Sequence, residues 1–276
     1  VSASRVVKEA AKTVMSGPAS GVIAAAYTGR RANRPNLISY DMGGTSTDVA
    51  LIRDCQPSVS NEIEIEYAMP LHVPMVDVRP IGAGGGSIAR VNEAGLLEVG
   101  PQSAGADPGP ICYGRGGDLP TISDANMVLG RLDVGKLKSV PGAVDIEDTR
   151  RTVQARLGDP LGVHATTAAA VLRSATTRMA GATRMVSVSL GLDPRDFSLF
   201  AFGGAGPLHA SALAGELGVP EVLVPARPGI TNALGCIVAD LRHDFVRTVN
   251  RPLDGMEIDR LTGMLEHQAG EGEALI

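Results

Sequence analysis

The chain has 276 residues, of which 44% are hydrophobic and only 3% aromatic, with no Trp, 34 Gly and a formal net charge of −5. That length suits one large α/β domain or two smaller ones, with a core built mainly from Ala, Val, Leu, Ile and Met. An acidic balance without a basic run argues against nucleic acid as a partner, and no apolar run reaches the ~18 residues of a membrane span.

Elements follow in chain order. Residues 6–15 predict a short helix, broken by Ser16-Gly17-Pro18, with Pro18 placed at the first turn of a second helix over 19–27. Asn36 to Asp41 predicts a strand that ends in a Gly-rich turn, and Ser46 to Ile52 its return strand. Alternation over Val59 to Tyr67 predicts a third strand, so the three form a meander. Residues 70–120 carry the run Gly82-Ala83-Gly84-Gly85-Gly86-Ser87 and the segment Gly105-Ala106-Asp107-Pro108-Gly109-Pro110, and predict a long irregular insert. A helix capped by Ser123 or Asp124 is expected within 121–135, and another over Asp145 to Leu157. Thr166 to Leu190 predicts a long small-residue helix. Phe197 to Phe202 predicts a strand running straight into Gly203-Gly204-Ala205-Gly206-Pro207, followed by a helix over Leu208 to Leu217. Glu221 to Val224 predicts a strand, Gly229 to Leu241 a loop and helix, His243 to Val249 a last strand, and the tail from Arg251 a helix.

The chemistry concentrates at Asp41-Met42-Gly43-Gly44-Thr45-Ser46-Thr47-Asp48. A strand delivers a carboxylate at its end, a glycine pair bares backbone N–H groups, and two Thr add hydroxyls. Such a turn forms an anion-binding concavity, and a carboxylate beside it suits Mg2+, held largely through water. A Walker A loop would need Gly-Lys-Ser/Thr and a following helix. The structural alternative is a plain hairpin. Phe202 to His209 offers a glycine turn at a helix N-terminus, where backbone can lie flat on a base or ribose; the alternative is a tight strand-to-helix turn. Gly84 and Gly85 lie in a run that reads as a phosphate or substrate loop, or as a connector.

Taken together, these segments resemble the sugar kinase, chaperone and actin superfamily of ATPases. Residues 17–26 resemble its first connecting helix, Asp41 to Asp48 its second phosphate motif, Phe202 to Gly206 its adenosine motif and Asn232 to Asp240 its second connecting helix. Within the superfamily, Ile81 to Ala89, Ser103 to Gly117, Thr121-Ile122-Ser123-Asp124-Ala125-Asn126, Gly203 to His209 and Ala239 to Asp244 resemble the hydantoinase A/oxoprolinase family. The resemblance implies an α/β fold: a ribonuclease-H-like lobe with a mixed sheet flanked by helices, spanning 1–250. It implies a Gly-rich insert at about 70–120 and a helical insert at about 121–165, with 251–276 starting a further, truncated segment.

What the resemblance implies for function is ATP-dependent hydrolysis of a cyclic amide of hydantoin or 5-oxoproline type. Phosphorylating the amide carbonyl creates a good leaving group that water displaces. ATP and Mg2+ or Mn2+ are the expected cofactors. Asp41 is assigned to the metal and to orienting the attacking group, and Asp48 to orienting the hairpin or a metal-bound water. Gly43, Gly44, Thr45 and Thr47 are assigned to the β- and γ-phosphates, Gly84 and Gly85 to the nucleotide or substrate, and Gly203, Gly204 and Gly206 to adenosine.

The expected partners are a missing N-terminal lobe of the same polypeptide, which would carry the first phosphate hairpin, and a hydantoinase B-type subunit or domain. Val1 is not an initiator Met, and the chain is expected to be a piece of a longer protein, inactive alone. Cys55, Cys112 and Cys236 show no metal or disulfide spacing, which points to reduced thiols in the cytoplasm. The same residues also fit the nucleotide-binding subunit of an acetone- or acetophenone-type carboxylase, or a non-enzymatic ATP-binding switch. Side roles stay open for Asp107, Asp124, Arg115, His72, His209 and the His243-Asp244 pair, and for Cys112 as a nucleophile if a base lies nearby.

Overall fold

A computed structural model describes residues 6–7, 10–60, 63–64, 70–71, 75–137, 140, 145–163, 166–240, 245–250, 252–255 and 257–274. Tyr67, His72, His243 and Asp244 lie outside them. The chain forms two compact units, Val1–Ala239 and Asp240–Ile276.

The first unit opens with a 3-10 turn, Ala10–Thr13, in place of the expected helix over 6–15. Helix α1 then runs over Ser16–Arg31. Ser16-Gly17-Pro18 starts this helix instead of breaking one, because the early turn has no N–H bond for Pro to remove. The strands that follow are β1 (Leu37–Met42), β2 (Thr47–Arg53), β3 (Gln56–Pro57), β4 (Val59–Ser60), β5 (Ile63–Glu64), β6 (Pro70–Leu71), β7 (Met75–Val76) and β8 (Arg79–Ile81). Next come β9 (Ser87–Val91), β10 (Leu97–Ser103), α2 (Ile122–Val128), α3 (Ile146–Val153), α4 (Asp159–Leu161) and α5 (Thr167–Val188). The unit closes with β11 (Ser198–Phe202), α6 (Gly206–Leu217), β12 (Val222–Leu223) and α7 (Thr231–Val238).

The main sheet is mixed, in the order β12-β11-β1-β2-β3, with β8 also pairing β2. Strand β11 runs parallel to β1, while β2 is antiparallel to it. The expected meander is present as β1-β2-β3, with the short Gln56–Pro57 as its third strand in place of Val59 to Tyr67. Beside β2 stand the short β3 and the distant β8, whose Ile81 pairs with Thr47. Among the described residues of the expected third strand, Val59–Ser60 pairs with Met75–Val76 and Ile63–Glu64 with Pro70–Leu71, outside the main sheet. The Gly-rich region is less irregular than its composition suggests, since β9 and β10 form an antiparallel pair within it.

Alternation along β1 and β2 sorts side chains onto two faces. Ile38, Tyr40, Met42, Val49 and Leu51 pack on the side of α5 and α6, with Ala175, Met179 and Leu213. Leu37, Ala50, Ile52, Phe200 and Phe202 pack against Val22, Ala25 and Ala26 of α1. Each large side chain buried this way contributes about 1.5–3 kcal/mol. Asp41 shares its face with Leu37 and Ser39 and therefore points to the α1 side, where α7 also packs against α1. Helix α2 is capped by Thr121 rather than by Ser123 or Asp124. Its side chain accepts from the Asp124 N–H and Asp124 answers it, a capping box that satisfies two otherwise orphaned amides.

The second unit holds a 3-10 turn, Leu253–Gly255, and helix α8, Ile258–Glu273. The described part of the expected last strand, residues 245–249, carries no regular structure. Among the described residues, no helix is long and apolar enough to cross a membrane.

Candidate phosphate-binding site

The site stands at the carboxyl ends of the parallel strands β1 and β11, the edge at which open α/β sheets hold ligands. Asp41 is the next-to-last residue of β1. It pairs with Asp48 across the β1–β2 ladder and with Phe202 across the β1–β11 ladder. Directly opposed antiparallel residues share a face, so two half-buried carboxylates meet there. Burial raises the Asp41 carboxyl, opposed by a hydrogen bond from Asn232. Burial first and the Asp41 charge second push Asp48 up to about 6.

Between the two carboxylates the chain turns through Gly43, Gly44, Thr45 and Ser46, closed by Gly43 N–H donating to Ser46 O at 3.0 Å. Gly44 and Thr45 are exposed at the tip. Among the described residues, no protein acceptor takes their N–H groups. This is the bare turn an anion needs.

The glycine loop after β8 lies directly behind this turn. Gly85 N–H donates to Gly43 O at 3.0 Å and Gly86 N–H to Gly44 O at 2.6 Å. Gly84 N–H donates to Ser87 Oγ at 2.8 Å. A side chain on Gly84 would run into the backbone of Gly44, Thr45 and Ser46, so only glycine lets the loop approach this closely. Gly84 and Gly85 are buried, and their amides are taken within the protein. They brace the turn from behind. Thr47 belongs to the same brace: it has no exposure and its hydroxyl donates to Ala83 O at 2.5 Å.

On the other flank, Gly203 follows β11 at φ +84, a conformation that L side chains rarely adopt, and a Cβ there would collide with Asp41 Oδ1 and Met42 O. Ala205 N–H donates to Met42 O at 2.9 Å, tying this turn to the end of β1. Gly204 is exposed with open space around it, and Gly206 begins α6 with Pro207 in the first turn. The helix N-terminus adds a positive end to the opening. All eleven residues assigned from sequence thus gather in one place, with the exposed Gly44, Thr45 and Gly204 at the surface and Thr47, Gly84 and Gly85 behind it.

Asn232 was not among those assignments. It sits in the first turn of α7, and its Nδ2 donates to Asp41 Oδ2 at 3.0 Å. Its Oδ1 is buried without a partner. The sequence placed Asn232 in a connecting-type helix, and only that order hinted that it could reach the strand end.

The other candidates are engaged elsewhere or stand outside the turn itself. Asp124 is fully buried and accepts from Thr121 N and Oγ1, both at 2.8 Å, and from Cys112 N at 2.7 Å. Burial and the Asp124 charge raise the Cys112 thiol, which disfavours the thiolate a nucleophile needs. Asp107 is exposed, and Arg115 donates to Ala106 O at 3.0 Å within the same Gly-rich segment. His209 is buried beside Asn126.

Among the described residues, no group of three or more His, Cys, Asp or Glu stands together. The donor set at the opening is two carboxylates beside an amide-lined turn. Mg2+ and Mn2+ take such oxygen donors, and Mg2+ keeps several waters and accepts phosphate oxygens beside one or two carboxylates. Asp41 and Asp48 fit that role.

The mixed sheet flanked by helices, with its glycine turns at the strand ends, is an α/β lobe. The sequence profile of the hydantoinase/oxoprolinase family matches residues 1–245, and the chain belongs to that family. Caprolactamase subunit alpha of Pseudomonas jessenii is 37% identical over 254 residues, covering 91% of this chain and 36% of the relative. The crystal structure of the ATP-dependent caprolactamase from that organism superposes with a TM-score of 0.82 at 34% identity, covering 93% of this chain and 38% of that one. A nucleotide-free acetone carboxylase structure superposes with a TM-score of 0.74 at 33% identity, over 81% of this chain and 32% of that one. 5-Oxoprolinase 1 of Arabidopsis thaliana is 36% identical over 253 residues, 84% of this chain and 20% of the relative. The chain therefore spans well under half of the proteins it resembles.

Proposed function

We propose that the chain is the second ATP-binding lobe, residues 1–250, of a cytoplasmic enzyme that opens cyclic amides at the expense of ATP, with 251–276 starting a further segment. The observation that carries this reading is the opposed pair Asp41 and Asp48 beside an amide-lined turn. Gly44 and Thr45 cradle phosphate oxygens with backbone N–H groups, and Gly43, whose own N–H is held by Ser46 O, shapes the turn that presents them. Asp41 would hold Mg2+ or Mn2+, and Asp48 would orient the hairpin or a water on the metal. When bound, the metal supplies charge neutralisation on the phosphates. Gly203, Gly204 and Gly206 receive adenosine, while Gly84, Gly85 and Thr47 keep the turn in shape. A missing N-terminal lobe of the same polypeptide faces this one, and a hydantoinase B-type subunit or domain completes the enzyme.

A cyclic amide is a poor electrophile. Its carbonyl oxygen attacks the γ-phosphorus, forming an O–P bond as the bond to ADP breaks. Water adds to the activated carbon, the ring C–N bond breaks, and the nitrogen leaves as a protonated amine. A second water releases phosphate. The protein contributes position and fixed charge, which is most of what phosphoryl transfer requires. Caprolactam and 5-oxoproline are both cyclic amides, which supports this substrate class.

The carboxylase reading, in which the same phosphorylation activates a ketone or bicarbonate, is favoured by the likeness to acetone carboxylase. ATPase assays of the full-length protein separate the two. Stimulation by 5-oxoproline, hydantoins or lactams supports the amidohydrolase, whereas stimulation only by a ketone with bicarbonate replaces it with the carboxylase. No stimulation by either leaves an ATP-binding switch. Asp41→Ala abolishes nucleotide turnover with the fold intact, and near wild-type turnover in that variant would remove Asp41 from the site.

A further inference from the structure

Two segments of the chain are not absorbed by the phosphate-binding reading, and they meet in the interior. Helix α2 brings Asn126, and the first turn of α6 brings His209. Each is 2% exposed. Asn126 Nδ2 lies 3.0 Å from Ile122 O and 3.1 Å from His209 Nε2. Turning the amide over would set Oδ1 against the Ile122 carbonyl, acceptor against acceptor, so Nδ2 is the atom at both contacts. One N–H then serves the carbonyl, the other serves the ring, and His209 Nε2 accepts. The imidazole is neutral with its proton on Nδ1. Burial, helped by the Arg131 charge, brings His209 down to about 4, in keeping with a ring that stays neutral.

Asn126 Oδ1 is buried without a partner. A buried polar pair with one orphaned atom is an expensive way to hold two helices together, and apolar packing would do that better. The placement of the pair supplies a reason. At its N-terminus, α2 reaches the phosphate turn: Ser123 N–H donates to Gly85 O at 2.7 Å, and Gly85 N–H donates to Gly43 O at 3.0 Å. His209 stands three residues after Gly206, at the start of the helix that follows the second glycine turn. Across the opening, Ala205 N–H on Met42 O closes the circuit. Gly43, Gly85, Ser123, Asn126, His209 and Ala205 therefore form a ring that ties both glycine turns to one another.

We infer that His209 and Asn126 are positioning residues for the nucleotide, setting the spacing between the phosphate turn at Gly43-Gly44 and the adenosine-facing turn at Gly203-Gly204. This rests on the nucleotide reading of that site. Both helices pack on α5, and the directional bond between Nδ2 and Nε2 fixes where the start of α6 stands relative to α2, which apolar packing on α5 leaves adjustable. His209 takes no proton and touches no reacting atom.

The test uses the full-length enzyme. His209→Leu removes the acceptor at similar volume, and His209→Gln restores an acceptor near the position of Nε2. His209→Leu and Asn126→Ala should each raise the KM and Kd for MgATP about tenfold, the scale expected for one lost buried hydrogen bond, with kcat little changed. His209→Gln should recover most of the affinity, and the double variant should be no worse than either single one. Lowered thermal stability at wild-type ATP affinity in Asn126→Ala, or in His209→Leu if it folds, overturns the inference in favour of plain packing. Loss of kcat at unchanged KM overturns it in favour of a reacting histidine. If the wild-type enzyme binds no ATP, the nucleotide reading fails and this inference fails with it; if it binds ATP and the variants bind equally well, only this inference fails.

Discussion

Asn232 Nδ2 donates to Asp41 Oδ2 at 3.0 Å across a sequence separation of 191 residues. The bond favours the charged form of Asp41 against the burial that raises it. Removing the donor leaves burial unopposed. In the full-length enzyme, Asn232→Ala should move the acidic limb of the pH profile of kcat/KM upward. A limb that stays in place would show that Asp41 does not govern it.

The Asp48 carboxyl stands at about 6 in the folded chain against 3.8 as the ordinary value. Between those limits the folded state binds more protons than the unfolded one, so stability falls as pH rises from about 4 to about 6 and is level above. Asp48→Asn removes this penalty. Without metal or nucleotide at pH 7, it should be the more stable protein, by about 1 kcal/mol once solvent screening of a half-open site is allowed for, while losing turnover. Urea denaturation at pH 4 and pH 7 measures both arms, and a variant no more stable at pH 7 would refute the electrostatic account.

Gly203 and Gly204 are neighbours with opposite demands. Gly203→Ala meets a positive φ and drives a methyl into Asp41 Oδ1 and Met42 O. It should cost about 2 kcal/mol or more and disturb the carboxylate. Gly204 has open space around it, so Gly204→Ala should stay within about 0.5 kcal/mol of wild type. Chemical denaturation of the pair provides an internally controlled comparison, and equal losses would contradict the geometry.

The cysteines differ sharply in exposure. Cys236 is exposed on α7, whereas Cys112 is buried with a raised thiol. A disulfide reagent should label Cys236 quickly and reach Cys112 only on unfolding, and Cys112→Ala should retain turnover. Rapid labelling of Cys112 in the native protein, detected by peptide mass analysis, would reopen its candidacy as a nucleophile.

Local signals in the sequence account for part of this fold. The strand, glycine pair and return strand at 37–53 follow from alternation interrupted by Gly43-Gly44. Helices α5 and α6 follow from small and apolar residues at helical spacing, stopped by Gly191 and Gly218. Pairings between distant segments carried no local mark. Strand β8 reaches β2 from the far side of a long insert, and its three residues are too few to show a period. The β9–β10 hairpin was obscured by the glycines on either side of it, although Asn92 Oδ1, accepting from Ala94 and Leu96 N–H, makes the kind of turn that Asn favours. In the site, the residues on the turn itself were legible because backbone chemistry names them. Asn232 was not, because its contact depends on how α7 packs on α1. The roles of Gly84 and Gly85 were also hidden, since a glycine run looks alike whether it faces a ligand or supports a neighbour.

The loop behind the phosphate turn also sets the timing of an entropic cost. Fixing a free glycine turn restricts several dihedrals at about 1–2 kcal/mol per residue. With Gly43 O and Gly44 O already held by the amides of Gly85 and Gly86, that ordering is complete when the lobe folds. On the nucleotide-binding proposal, an arriving triphosphate would meet a mould that has already set, and its binding free energy would be free to draw the rest of the protein around it.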